Sequence, residues 1–247
     1  MLSYRRPLRV AVLSSHRCPG AAELLSDPAR GRRWELVCAL SSEEELDTLA
    51  LFRDAGIPVV SHPVRDFHRR RGRKLSDLAT RRASDAEAAA RLAPFRPDLL
   101  LFSSYLYVAT PALLEAAPRG AVNIHGSDLA AVGADGAPKY AGLRAVADAI
   151  LSGEPETRAT AHWVTEEVDR GPIIARSGAY PVPSFVSTFL ERGNLKAVKA
   201  YAYAHQEWML THAWGPLWRI VLREAVAGNP PARIGVAPEP VSAGARA

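Results

Sequence analysis

Short apolar bursts alternate with helix-period stretches along the first two thirds of the chain, the pattern expected of βαβ units around a parallel sheet. Leu8 to Ser14 reads as a first buried strand, and Ala21 to Leu25 begins a helix. Trp34 to Leu40 reads as a second strand. Glu43 to Ala55 reads as a helix, with Ser42 as N-cap, Glu45 at the capping-box position and Gly56 at the stop. Ile57 to Val60, Asp98 to Ser103 and Gly120 to His125 read as further strands, with helices over Arg81 to Ala93, Pro111 to Ala116 and Leu143 to Leu151. Thr157 to Val164 and Pro172 to Ala179 form two more strands joined by a tight polar connection. Beyond Pro183 the pattern turns helical and aromatic, from Leu195 to Val226, with a break expected at Gly215-Pro216. The expected fold is α/β, a Rossmann-like and mostly parallel sheet with helices on both faces. The organisation this implies is an α/β domain over 1–182, a helical C-terminal extension over 183–228 and a flexible tail over 229–247.

Composition narrows the class without naming a chemistry. The chain has 247 residues, of which 48% are hydrophobic and 23% charged, values ordinary for a globular protein. Its apolar runs are strand-length, far short of the roughly 20 residues a bilayer crossing needs. Neither a membrane segment nor a secretory leader is expected, and a cytoplasmic protein is. Cys18 and Cys38 form neither a CxxC pair nor a disulfide framework and are read as packing residues. No His or carboxylate cluster has metal-ligand spacing. A net charge of +5 gives no reason to expect a nucleic-acid partner. The charge is concentrated, however: residues 65–82 hold eight basic and two acidic side chains, a local +6 read as a solvated loop leading into a helix.

The chemistry lies further along. In Asn123-Ile124-His125 the two polar side chains are two residues apart, so on a strand they share a face, at the carboxyl end where open α/β sheets bind ligands. Taken alone, this is an ordinary hydrogen-bonded strand end. Asp169 sits in the tight connection before Gly171-Pro172. Together Asn, His and Asp supply an oxyanion donor, a titratable acid or base, and a group that orients the imidazole. That set suits acyl transfer without a covalent nucleophile.

With Val122 to His125, Tyr140 to Leu143 and Ala161 to Ile174, the chain resembles the 10-formyltetrahydrofolate-dependent formyltransferases, most of all those of the phosphoribosylglycinamide type. The resemblance implies Asn123, His125 and Asp169 as the catalytic set and 10-formyltetrahydrofolate as co-substrate. In that scheme Asn123 and a protonated His125 stabilise the oxyanion, and Asp169 moves the proton of the attacking amine toward N10. The folate pterin would be held by Tyr105, Leu106, Tyr107 and Val108 and by Thr165, Glu166 and Val168.

The acceptor would be a small-molecule amine: phosphoribosylglycinamide, an amino sugar or another amine. Ser15, His16 and Arg17 stand where the family's Gly-Asn-Gly-Ser loop cradles the acceptor phosphate, and they depart from it. Hydrolysis of the same donor, or ligand binding without catalysis, are the rival readings. His162, beside Trp163, reads as a packed core histidine. The aromatics Tyr201, Tyr203, Trp208, Trp214 and Trp218 read mainly as helix packing, and otherwise as a homodimer interface or a lid over the acceptor.

Overall fold

The computed structural model describes residues 6–44 and 49–228. Its centre is a seven-stranded sheet of β1 (Leu8–Ser14), β2 (Trp34–Ser41), β3 (Val59–Ser61), β4 (Leu99–Phe102), β5 (Ala121–His125), β7 (Thr160–Trp163) and β8 (Ile173–Arg176), in the order β3-β2-β1-β4-β5-β7-β8. The first five strands of that order pair in parallel, and β7 and β8 add antiparallel. A separate two-stranded ribbon joins β6 (Glu156–Thr157) to β9 (Tyr180–Pro181). The continuous apolar run of β4, all four residues buried, reflects cover on both faces, as a central parallel strand requires.

The helices are α1 (Ala21–Ser26), α2 (Ala50–Asp54), α3 (Val64–Arg70), α4 (Leu78–Leu92), α5 (Pro111–Leu114), α6 (Ala145–Leu151), α7 (Phe185–Glu191) and α8 (Leu195–Ala227). Several expectations need correction. Of the helix expected over Glu43 to Ala55, the described residues show the five of α2, Glu43 and Glu44 are not helical, and Gly56 ends the turn that follows α2, at φ +72°. Ser42 is not its N-cap: it is buried, and its hydroxyl donates to Ser15 Oγ at 2.8 Å, so the residue stitches two strand ends together. Glu45 lies outside the described residues, as does the tail 229–247.

The basic run is not one solvated loop. It spans α3, a turn, and the start of α4, which begins at Leu78 because Asp77 caps it, accepting from Thr80 N at 2.8 Å. Arg69 pairs with Asp66, Arg71 lies over the Phe67 ring at 3.5 Å, and Arg81 is buried against Asp85. Cys18 and Cys38 are free and buried, with burial pushing both thiols up to about 12.

The largest departure is α8, which runs unbroken through Gly215 and Pro216. Asn194 caps its start by accepting from Ala197 N at 3.2 Å, and Gly228 closes it in the left-handed conformation. Proline inside a helix costs roughly 3 kcal/mol. Burial of Trp214 and Trp218 on either side, at about 2 to 3 kcal/mol per large side chain, offsets that cost. Gly215 is a notch rather than a break: a Cβ there would lie 2.5 Å from Glu23 Cγ, so its absence lets α1 press against the helix. Gly20, at φ +80°, leaves room in the same way for the Trp218 ring. The buried face of α8 belongs to the same core as β1, β4, β5 and β7.

Candidate active site

The site forms where the sheet changes direction. β5 runs parallel to β4 on one side and antiparallel to β7 on the other, so Asn123 faces His162 and His125 faces Thr160 across the ladder. Asn123 Nδ2 lies 3.1 Å from His162 Nε2. Because His162 Nδ1 faces the carbonyl of Trp163 at 3.0 Å, its proton must sit there, and Nε2 is the acceptor for the Asn123 amide. The second amide hydrogen of Asn123 remains for a ligand. By the same reasoning His125 Nε2 carries the proton, since it faces Tyr140 O at 3.2 Å, and Nδ1 is left toward Asp169.

Asp169 completes the cluster. Its Oδ2 accepts from the Gly142 amide at 2.7 Å, while Oδ1 stands 3.5 Å from His125 Nδ1 and 3.7 Å from His162 Nε2. The connection is built for this placement. Asp169 is held at φ +56°, a left-handed conformation that Asp tolerates better than most residues. At Gly171 a Cβ would lie 1.6 Å from the carbonyl oxygen of Trp163, so only glycine lets the chain cross back to β8 there. Burial pushes both imidazoles below their ordinary value, with the Asp169 carboxylate opposing the shift. Burial therefore favours the neutral form of His125.

Asn123, His125, His162 and Asp169 line a cavity of about 380 Å³. Tyr105, Leu106, Tyr107, Val108, Thr165 and Val168 line it too. Glu166 does not: the next residue, Glu167, turns to the cavity instead. Leu106, Val108, Leu143 and Val168 are each more than a third exposed around it, an apolar rim open to solvent. The Tyr105 hydroxyl, 2.7 Å from Arg81, fixes that wall from behind.

Ser15, His16 and Arg17 are absent from the lining. Ser15 is buried and accepts from Leu106 N at 2.9 Å, and Arg17 is ion-paired to Glu207 of α8. The opposite wall was not anticipated as such: Gln206, Met209, Leu210 and Trp214 form one stripe of α8 at spacings of three, one and four. His162, too, belongs to the site rather than to the core alone. The signal for it was the strand alternation Thr160, His162, Val164 leading into the Asp169 connection.

The formyl transferase family model matches residues 8–183. The chain belongs to the formyl transferase family. Among formyl transferase relatives, the trifunctional purine biosynthetic protein adenosine-3 of Drosophila melanogaster is 32% identical over 188 residues, covering 74% of this chain and 12% of that protein. The phosphoribosylglycinamide formyltransferase of Mycobacterium tuberculosis is 29% identical over 180 residues, 72% of each chain. A methionyl-tRNA formyltransferase of Treponema pallidum matches over 82 residues at 39%. This chain thus spans 12% and 23% of the length of the fly and Treponema proteins. Glycinamide ribonucleotide transformylase 1 from Symbiobacterium toebii superposes with a TM-score of 0.61 at 26% identity, covering 83% of this chain and 90% of that one.

Proposed function

We propose that this protein transfers the formyl group of 10-formyltetrahydrofolate to a primary amine of a small-molecule acceptor. The observation that carries the reading is Asp169 Oδ1, free of any direct hydrogen bond and standing between His125 Nδ1 and His162 Nε2, beside an aimed Asn123 amide. Family membership supports the same chemistry.

The donor fits the residues present. The apolar rim of Leu106, Val108, Leu143 and Val168 would cover a flat heterocycle, and the backbone of 105–108 and 165–168 would offer it polar groups. Glu167 takes the place expected for Glu166. Asn123 donates its free N–H to the formyl oxygen as negative charge develops there; such a donor is worth on the order of 100- to 1000-fold in rate. The amine nitrogen bonds to the formyl carbon and gives up a proton to Asp169 Oδ1, from which it can pass to His125 Nδ1. As the bond from that carbon to N10 breaks, N10 takes the proton back. His125 thus starts neutral, as its burial dictates, and becomes charged only within the reaction.

The acceptor follows less directly. The relatives named for phosphoribosylglycinamide favour that amine, whereas the altered Ser15 to Arg17 loop favours another. A homodimer through α8 would rely on Tyr203 and Trp208, the exposed aromatics of that helix, since Trp214 and Trp218 are buried within the chain.

The test is to incubate the protein with 10-formyltetrahydrofolate and a panel of amines, following tetrahydrofolate release and the mass of each acceptor. Release that depends on an amine, with a formylated product, is expected. Release without an amine would establish hydrolysis instead, and neither release nor donor binding would refute the enzyme reading.

A further inference from the structure

The cavity wall that follows β4 has no secondary structure to hold it. The chain turns through Ser104 at φ +57°, a conformation that serine keeps only where its surroundings impose it. From Tyr105 to Ala109, all of which line the cavity, no backbone group bonds another backbone group among the described residues. Such a segment keeps its shape through side chains. One pin is Ser15 Oγ, which accepts from Leu106 N at 2.9 Å.

The other pins come from α4. Asp85 is fully buried there, and its Oδ2 accepts from Thr110 N at 2.8 Å, at the far end of the segment. Its Oδ1 accepts from Arg81, one helical turn away. Arg81 Nη2 also donates to the Tyr105 hydroxyl at 2.7 Å, and its guanidinium carbon stands 5.1 Å from the centre of the Tyr107 ring, within cation–π reach. One buried ion pair thus grips the wall at Tyr105, Tyr107 and Thr110.

Stability alone gives little reason for this pair. Arg81 is 3% exposed, and its Nε and Nη1 have no hydrogen-bond partner among the described residues. A buried ion pair that leaves donors unsatisfied gains little over apolar residues of the same size. What it supplies is position. Arg81 and Asp85 do not line the cavity, so they act on a ligand only through the wall they hold.

Resting on the formyltransferase reading, we propose that Arg81 and Asp85 are positioning residues for the formyl donor, holding the Tyr105 to Ala109 wall in its donor-binding shape and setting donor affinity without touching the donor.

The experiment is calorimetric titration of 10-formyltetrahydrofolate into the wild-type protein, Tyr105→Phe, Arg81→Lys and the double variant, with urea unfolding of each. Phenylalanine removes only the hydroxyl that Arg81 holds. Lysine keeps a charge for Asp85 but lacks the planar fork that reaches Tyr105 as well. Each single variant is expected to raise the donor Kd by about five- to tenfold, the scale of one lost hydrogen bond, with the binding stoichiometry unchanged. The double variant should be within about twofold of either single, since both cut the same bond.

A fall in stoichiometry with an unchanged Kd is what partial unfolding alone produces, and it would overturn the proposal. So would a wild-type Kd in Arg81→Lys beside a raised one in Tyr105→Phe, which would make the hydroxyl a direct contact to the donor. If Arg81→Lys does not fold, an unchanged Kd in Tyr105→Phe is by itself enough to reject the positioning role. Absence of donor binding by the wild-type protein would instead strike the formyltransferase reading, and this proposal with it.

Discussion

Replacing His162 tests whether the Asn123 amide is aimed by its neighbour. In the folded protein His162 Nε2 accepts from Asn123 Nδ2 at 3.1 Å, with the imidazole turned the right way by Trp163 O. Leucine at this position removes the acceptor while keeping the site apolar, and glutamine can offer its Oε1 near the place of Nε2. The lost hydrogen bond is worth about 1 kcal/mol, or about fivefold in rate. Complete loss of an oxyanion donor costs on the order of 100- to 1000-fold. A swivelling Asn123 keeps its donor and loses its aim, so kcat for His162→Leu should fall between those limits, by about 10- to 100-fold. Both KM values should change little, and His162→Gln should recover most of the loss.

The same variant has a stability readout. Burial holds the His162 imidazole below its ordinary value of 6.5, so the folded state favours the neutral form. Stability is then full above that value and is lost as the pH falls through the lowered one. Urea unfolding at about pH 7 and about pH 5 should show less acid sensitivity in His162→Leu than in the wild type. Steady-state kinetics with the three proteins decide the catalytic part: an unchanged kcat in the leucine variant, or equal loss in leucine and glutamine, would refute the reasoning.

Three further predictions concern the frame. His62 is buried, with Nε2 2.9 Å from Ser84 Oγ, and burial lowers it to about 4. Protonating it across the window from 6.5 down to about 4 costs about 3 kcal/mol, so urea midpoints of His62→Gln should fall less on acidification than those of the wild type. Gly171→Ala forces a Cβ onto the Trp163 carbonyl; destabilisation of about 3 kcal/mol or more is expected from urea titration, and wild-type stability would contradict the crossing described. Trp218→Ala empties a fully buried site between α8 and the loop after β1, for an expected loss of about 3 to 5 kcal/mol in the same assay.

Most of the sheet was legible because each strand is a short apolar run with a turn after it. Leu8 to Ser14 and Leu99 to Phe102 carry their burial in their own side chains. What escaped local reading depended on contacts far along the chain. Ser42 looks like an N-cap until Ser15 is seen against it. Gly215-Pro216 looks like a break until Glu23 of α1 occupies the notch and two tryptophans anchor either side. The core of the site was visible as Asn123, His125 and Asp169, since a strand places the first two together and a tight turn holds the third.

His162 was hidden because its role depends on antiparallel register with β5, which no single segment encodes. The burial that favours the neutral form of His125 was hidden for a related reason: it comes from loops and strands brought in from elsewhere. Arg17 looked available to an anion, and only the packing of α8 beside it reveals Glu207 as its partner.

The central claim is that Asp169 is the proton acceptor of a formyl transfer. Asparagine tolerates the left-handed conformation at this position and keeps the shape of the side chain, so Asp169→Asn isolates the proton transfer from the fold. With 10-formyltetrahydrofolate and an amine substrate, the account predicts a fall in kcat of about 100-fold or more, with the donor still bound and cooperative unfolding retained. A kcat near that of the wild-type protein would contradict it.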